Sequence, residues 1–232
     1  MSSFEDLGVT PEIAEALAAE GIESPTPLQE SAIPVVRKGN NLLIEAGTGA
    51  GVLLAWCVGL LERLEAEADG PRALVLGASR ETADRLAEST ARLASATAHR
   101  VAALGSAWVL PERADVLFAA VPDAVDALGA GRFPGQGVQA IVVDQAQLIE
   151  AAPGLDRVEK VLDYLPAEAQ RIMSALPMTP AVSDFAARHF KRTVTVPPPE
   201  GADAPSRGEV RFRITPEPRE AGALQVVEDV LE

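Results

Sequence analysis

The residues best suited to chemistry begin with a glycine-rich run, Ala46-Gly47-Thr48-Gly49-Ala50-Gly51, set between an apolar stretch and a helical pattern. A turn of this composition lets backbone N–H groups approach phosphate oxygens at the positive end of a helix. It is equally the composition of a tight turn that holds no ligand. A working phosphate loop continues with Lys, which meets the β and γ phosphates, and with Ser or Thr, which holds Mg²⁺. Val52 and Leu53 stand at those places here. Removing the Lys charge forgoes about 4 kcal/mol against an anion ~4 Å away, at an effective dielectric of about 20 and before desolvation. A second group, Asp144-Gln145-Ala146-Gln147, follows another apolar stretch. Asp144 could reach a metal through water, or it could satisfy backbone donors at a strand end. With one cysteine, Cys57, and two histidines, His99 and His189, the chain has no disulfide framework of its own and no Cys-based zinc site, and a metal cluster is not expected.

Positioning these residues needs an alternation of strands and helices. Strands are predicted over Leu42 to Glu45, Ala73 to Leu76, Val116 to Ala119, Gln139 to Val143, Arg171 to Ser174 and Thr193 to Val196. Their near-continuous apolar runs suit strands covered on both faces. Apolar spacing of three and four predicts helices over Leu53 to Ala66, Glu81 to Ala94, Asp123 to Leu128 and Ala181 to Phe190. Pro11 to Ala19 reads as a helix with Thr10 as its N-cap. The pattern is that of βαβ units in an α/β fold, a doubly wound parallel sheet flanked by helices. Trp56 falls in the apolar helix and is expected in the core; Trp108, in a short loop, reads as an anchor or a contact residue.

Pro197 to Gly208 is too rich in Pro and Gly for regular structure and reads as a linker. Beyond it, Glu209 to Ile214 suits one strand and Glu220 to Leu231 one helix. Those two elements cannot close a core of their own. The expected organisation is therefore a lobe over 1–197, a linker over 198–208 and a strand-helix tail over 209–232. That tail must pack on the lobe, dock on another chain, or begin something further.

Composition narrows the function. The chain has 232 residues, 34 acidic against 20 basic, and a formal charge of −14. Such a field opposes generic nucleic-acid coating, which rewards clustered Lys and Arg. At 47% hydrophobic the chain is far from the signature of disorder. Its longest apolar run, Val52 to Leu61, is about half the ~20 residues a membrane span needs. The N-terminal residues lack a basic region followed by an apolar stretch, so no secretory signal and a cytoplasmic location are expected. Only three of the basic residues are lysines, which suits a salt-adapted proteome or a high-GC genome.

From Phe4 to about Val196 the chain resembles the N-terminal RecA-like lobe of a DEAD-box RNA helicase. Gly21-Ile22-Glu23-Ser24-Pro25-Thr26-Pro27-Leu28-Gln29 is similar to the family's adenine-reading Q motif, with Phe4 at the place of the upstream aromatic that stacks on the base. Ala46 to Gly51 resembles the start of motif I, and Ala78-Ser79-Arg80-Glu81-Thr82-Ala83 the RNA-contacting motif Ia. Asp144-Gln145-Ala146-Gln147 occupies the place of the DEAD residues, and Ser174-Ala175-Leu176 that of the coupling motif SAT. The resemblance implies nucleotide contacts at Phe4, Ile22, Thr26, Gln29, Gly47, Thr48, Gly49, Ala50, Gly51 and Asp144. It implies RNA contacts at Ser79, Arg80 and Gly105. Alternative roles stand beside these: Gln29 could brace the loop without adenine, Phe4 could staple the first helix, Ser174 could cap or turn, and Arg80 could pair with Glu81 or Asp84.

The departures from the family pattern bear most on activity. Val52 and Leu53 present hydrocarbon toward the phosphates. In the family the Glu of DEAD activates the attacking water; Gln145 is near-isosteric but cannot accept a proton. Gln147 replaces the last acid. The family's TPGR motif aligns with Ala120-Val121-Pro122-Asp123, which reverses a charge, and the loop from Gly105 to Asp115 is short. No catalytic residue is therefore assigned; the expectation is a non-hydrolysing lobe. Its cofactor would at most be ATP, ADP or AMP, held weakly and without tight Mg²⁺. Its partners would be RNA or a ribonucleoprotein, a protein, or a second copy through the exposed lobe face and tail, with no membrane. The alternative is an ATP-dependent helicase lobe working with a separate second lobe.

Overall fold

The computed structural model describes residues 2–47, 49–105 and 113–196. The expectations for Thr48, Trp108, the linker and the strand-helix tail lie outside them. Chain order is α1 (Pro11–Ala19), α2 (Pro27–Arg37), β1 (Leu42–Ile44), α3 (Val52–Arg63), β2 (Ala73–Gly77), α4 (Arg80–Ala94), β3 (Val101–Ala103), β4 (Val116–Ala120) and α5 (Val121–Gly129). There follow β5 (Ala140–Val143), α6 (Ala146–Ala151), α7 (Leu155–Leu162), β6 (Gln170–Ser174), α8 (Pro180–His189) and β7 (Val194–Val196).

The seven strands form one sheet in the order β3-β4-β2-β5-β6-β1-β7. Every pairing is parallel. Side chains alternate across it. Ala73 and Val75 of β2 face one buried cluster, shared with Ile33, Trp56 and Leu60, while Leu74 and Leu76 face the other, shared with Val158 and Phe185. Both faces are covered, so the central strands β2, β4 and β5 are buried and apolar at every position, which is why a period of two is not visible in them. Trp56 is fully buried. No helix among the described residues is long and apolar enough to cross a membrane.

Register sets the site. Val143 of β5 lies beside Met173 of β6, and Ile44 of β1 beside Ser174. Asp144, Ser174 and the turn after Ile44 therefore leave the sheet together at its carboxyl end, where open α/β sheets hold ligands.

Several elements differ from expectation. Thr10 occupies the N-cap position of α1 but makes no side-chain cap bond; its N–H and hydroxyl both donate to Glu62. Helix α3 stops at Arg63, before Glu65 and Ala66, because Leu64 turns extended. Helices α2, α6 and α7 and strand β3 are not foreseen by spacing. Helix α2 is hidden by Pro27 and Pro34, although Pro27 sits in its first turn where no N–H is needed. Strand β3 is three residues at the sheet edge, two of them Ala, with little β-branched signal.

Candidate functional site

The glycine-rich turn leads from β1 into α3, with Gly51 as the N-cap of the helix at φ +79°. That left-handed backbone favours glycine, and a Cβ there would also overlap the Gln29 amide. The Gln29 amide is the brace of this turn. Its Nε2 donates to the Gly51 carbonyl at 3.2 Å and its Oε1 accepts from the Thr26 N–H at 3.0 Å. The Thr26 hydroxyl in turn accepts from the Gln29 N–H, completing a capping box at the head of α2. Gln29 is 2% exposed, so both ends of its amide are spent inside the protein.

Beside the turn lies a cleft of about 380 Å³. Its walls include Ala46, Gly47, Val52 and Leu53 from the turn and α3, Arg85, Leu86 and Ser89 from α4, and Asp144, Gln145 and Ser174 from the strand ends. Asp144 is 4% exposed. Its carboxylate accepts from the Ser174 hydroxyl at 2.9 Å and from Gln145 Nε2 at 3.3 Å. The same Ser174 oxygen accepts the Gln145 N–H at 2.8 Å. Burial pushes the Asp144 carboxyl up from the ordinary aspartate range; the Ser174 and Gln145 bonds and the Arg85 charge offset this only in part. Gln145 takes φ +51°, a left-handed backbone at the start of α6. Gln147 Oε1 accepts the Leu176 N–H at 3.2 Å. Two segments far apart in sequence are thus tied together: the strand end at Asp144 and the Ser174-Ala175-Leu176 segment.

A second surface lies at the head of α4. The Ser79 hydroxyl accepts the Thr82 N–H, as the N-cap of that helix. Arg80 pairs with neither Glu81 nor Asp84. Its guanidinium makes a bidentate pair with Asp123, Nε to Oδ2 at 2.6 Å and Nη2 to Oδ1 at 2.5 Å. The β2–β4 pairing brings Gly77 beside Ala120 and so carries the heads of α4 and α5 together. Arg80 holds the Asp123 carboxyl below the ordinary aspartate range. Gly105, at φ +98°, lines the same hollow as Arg80 and Asp123.

Gly47, Gly49, Gly51, Val52, Leu53, Asp144 and Gln145 thus share one cleft. Ala50 and Thr26 stand beside it, the Thr26 hydroxyl donating to the Ala50 carbonyl at 3.5 Å. Ile22 lines an adjoining hollow with Leu17, Leu53 and Ser89. Phe4 is buried, 3% exposed, in the core cluster that contains Ile13 and Leu17, away from the cleft walls. Arg85 escaped the sequence reading; the signal available was its spacing of four from Ser89 on an amphipathic helix, which puts both on one face. Also unforeseen was the buried pair of Asp115 and Arg100 at the other end of the sheet.

A family model described as DEAD/DEAH box helicase matches residues 26–183. The chain is 23% identical over 195 residues to the DEAD-box ATP-dependent RNA helicase CshA of Geobacillus kaustophilus, covering 81% of this chain and 42% of that protein. It is 27% identical over 197 residues to the ATP-dependent RNA helicase DeaD of Mycobacterium tuberculosis, covering 82% and 35%. The chain therefore spans less than half the length of these curated relatives. Among solved structures, dbp5 of S. cerevisiae bound to gle1 and ip6 superposes with a TM-score of 0.79 at 22% identity, over 85% of this chain and 52% of that one. A DEAD box protein from the hyperthermophile Methanococcus jannaschii gives 0.78 at 20% identity, over 84% and 55%. The fold agrees with the motif order, the family model covers more than half of the sequence, and the chain belongs to the DEAD/DEAH box helicase family, of which it carries the N-terminal RecA-like lobe.

Proposed function

We propose that this lobe is a non-hydrolysing module of the DEAD-box type, which acts by binding partners in an RNA-handling setting rather than by turning over ATP. The observation that carries the reading is the pair Val52 and Leu53, whose side chains wall the cleft at the head of α3. Hydrocarbon there cannot offset the charge of a triphosphate tail. The residues present do not fit a Mg²⁺-bound triphosphate. Both Asp144 oxygens already accept hydrogen bonds, and no group of three or more His, Cys, Asp or Glu side chains suited to a metal occurs among the described residues. Gln145 supplies no base.

RNA contact through the inherited surface is likewise weakened, because Asp123 occupies the Arg80 fork that would meet a phosphate. Protein contact is better supported. Leu148 and Leu176 are 46% and 48% exposed, and both lie at the carboxyl end of the sheet near the cleft. A partner protein or a second copy would cover them.

Nucleotide binding by the wild type beside the Val52→Lys/Leu53→Thr double variant tests the reading. Affinity for Mg²⁺-ATP should rise at least tenfold in the variant alone. Saturable ATP turnover by the wild type, abolished by Asp144→Ala, would sink it. That same result would favour a second reading, an ATP-dependent helicase lobe that works with a separate second lobe. The bonds that tie Asp144 to Ser174 and Gln147 to Leu176 favour it, since such links could carry a nucleotide signal.

A further inference from the structure

We propose that Arg85 is the cation of the cleft, restoring from α4 the charge missing at the head of α3, and that it takes a single phosphate group held without metal. The inference rests on the non-hydrolysing reading above.

Arg85 and Ser89 stand one helical turn apart on α4, with Leu86 beside them, and all three line the same cleft as Val52 and Leu53. Arg85 supplies the one Lys or Arg side chain among the described wall residues. Its guanidinium forms no hydrogen bond or ion pair among the described residues, whereas Arg80, Arg92, Arg100 and Arg188 each have a carboxylate partner. Its charge reaches Asp144 across the cleft and favours the ionised carboxylate. An unpaired, exposed guanidinium facing a cleft keeps its full fork for a ligand, and that fork matches the oxygens of a phosphate.

The walls decide how much charge can enter. The side chains of Val52, Leu53 and Leu86 offer no donor or charge to further phosphates, and the Asp144 carboxylate in the same wall repels them. One phosphate at the Arg85 side meets a cation and keeps its outer oxygens in water. A second or third would be pressed against hydrocarbon or toward Asp144. A phosphate monoester and free phosphate share this chemistry.

Calorimetry on the full chain in EDTA, with AMP, inorganic phosphate and adenosine as separate probes, tests the assignment. AMP or phosphate should bind without Mg²⁺, at least tenfold more weakly to Arg85→Gln and more tightly to Asp144→Asn. Binding of AMP with none of free phosphate identifies a monoester site; equal binding of both identifies a phosphate site. Adenosine should be indifferent to Arg85→Gln. Because Arg85 is exposed, the variant should melt within a few degrees of the wild type. An unchanged affinity in Arg85→Gln, weaker binding in Asp144→Asn, or no binding of AMP and phosphate to the wild type would each overturn the proposal. ATP turnover by the wild type would instead overturn the non-hydrolysing reading and leave the Arg85 comparison interpretable.

Discussion

Two aspartates are buried at opposite ends of the same sheet, and their surroundings push them in opposite directions. Asp115, fully buried before β4, receives Ala68 N–H and Arg100 Nη2 on Oδ1, at 2.8 and 2.9 Å, and Arg100 N–H and Nε on Oδ2, at 2.7 and 3.2 Å. Burial pushes its carboxyl up, but the Arg100 guanidinium and the backbone N–H groups outweigh that and hold it below the ordinary range. Asp144, after β5, is nearly as buried but has only a hydroxyl and an amide as donors, and its carboxyl is pushed up. At the amino end of the sheet the Asp115 carboxylate therefore has both oxygens fully paired. The carboxyl end holds an acid whose burial its hydrogen bonds offset only in part.

The same contrast runs through neighbouring residues. At the amino end, Gln170 Nε2 donates to the carbonyls of Val36 and Asn40, and Asn41 accepts the Arg171 N–H, joining β1, β6 and α2 across 130 or more residues of sequence, while Gln170 Oε1 makes no hydrogen bond among the described residues. At the carboxyl end the corresponding groups are the braced turn at Gly51, Arg85 without an ion pair among the described residues, and the surface pair of Arg80 and Asp123. Buried clamps cannot be exchanged cheaply, while surface pairs can.

The largest way to break this comparison is Asp115→Ala. It leaves Arg100 and two N–H groups without their acceptor and should cost about 3 kcal/mol in urea denaturation, at the low end for a buried pair because Arg100 is partly exposed. A loss under about 1 kcal/mol would erase the distinction between the two ends. Asp123→Arg comes next. It frees Arg80 and adds a second cation, so binding of a single-stranded RNA should steepen its salt dependence by about 1.4 in log K against log salt, two phosphate contacts at ~0.7 each. No change would mean that the surface retains no path for RNA.

The smallest effect sharpens the comparison through its sign. Because the folded Asp144 carboxyl titrates above its unfolded value of about 3.9, the native state holds that proton more tightly. Its contribution therefore favours folding as pH falls through the raised value and weakens folding as pH rises. Asp144→Asn should then be at least as stable as wild type at neutral pH, with the difference disappearing in acid. Asp115 acts the other way: its stabilisation is present above the unfolded value and is lost as pH falls through the lowered folded one. Melts of both variants across pH 3 to 7 would show the two trends; parallel curves would remove the electrostatic account of the two ends.

Much of the fold was legible because six of the strands and the longer helices are continuous apolar or amphipathic runs. Strand β2 and helix α1 lie within a residue of expectation. The edge strand β3 and the helices α2, α6 and α7 were not: β3 is three residues with two Ala, α2 carries two prolines, and α6 and α7 run only six and eight residues, too short for a clear period. In the site, the turn at Gly47 to Gly51 and Asp144 were legible from motif spacing. Spacing left Phe4 between a base-stacking role and a staple on the first helix, and the structure shows its ring buried with Ile13 and Leu17. Arg85 was invisible because it departs from no motif that the sequence reading used.

An α/β lobe of the DEAD-box type is written into the chain itself, because hydrophobic period and motif order are local properties of the residues. The family resemblance further implies that Val52, Leu53 and Gln145 stand where a lysine, a hydroxyl and a glutamate would work. It took the folded arrangement to show that Arg80 pairs with Asp123, 43 residues away, and that Arg85 lines the cleft with no carboxylate in hydrogen-bond reach among the described residues. Coulomb energy depends on distance in space, and parallel crossovers bring together groups whose separation in sequence carries no information about that distance.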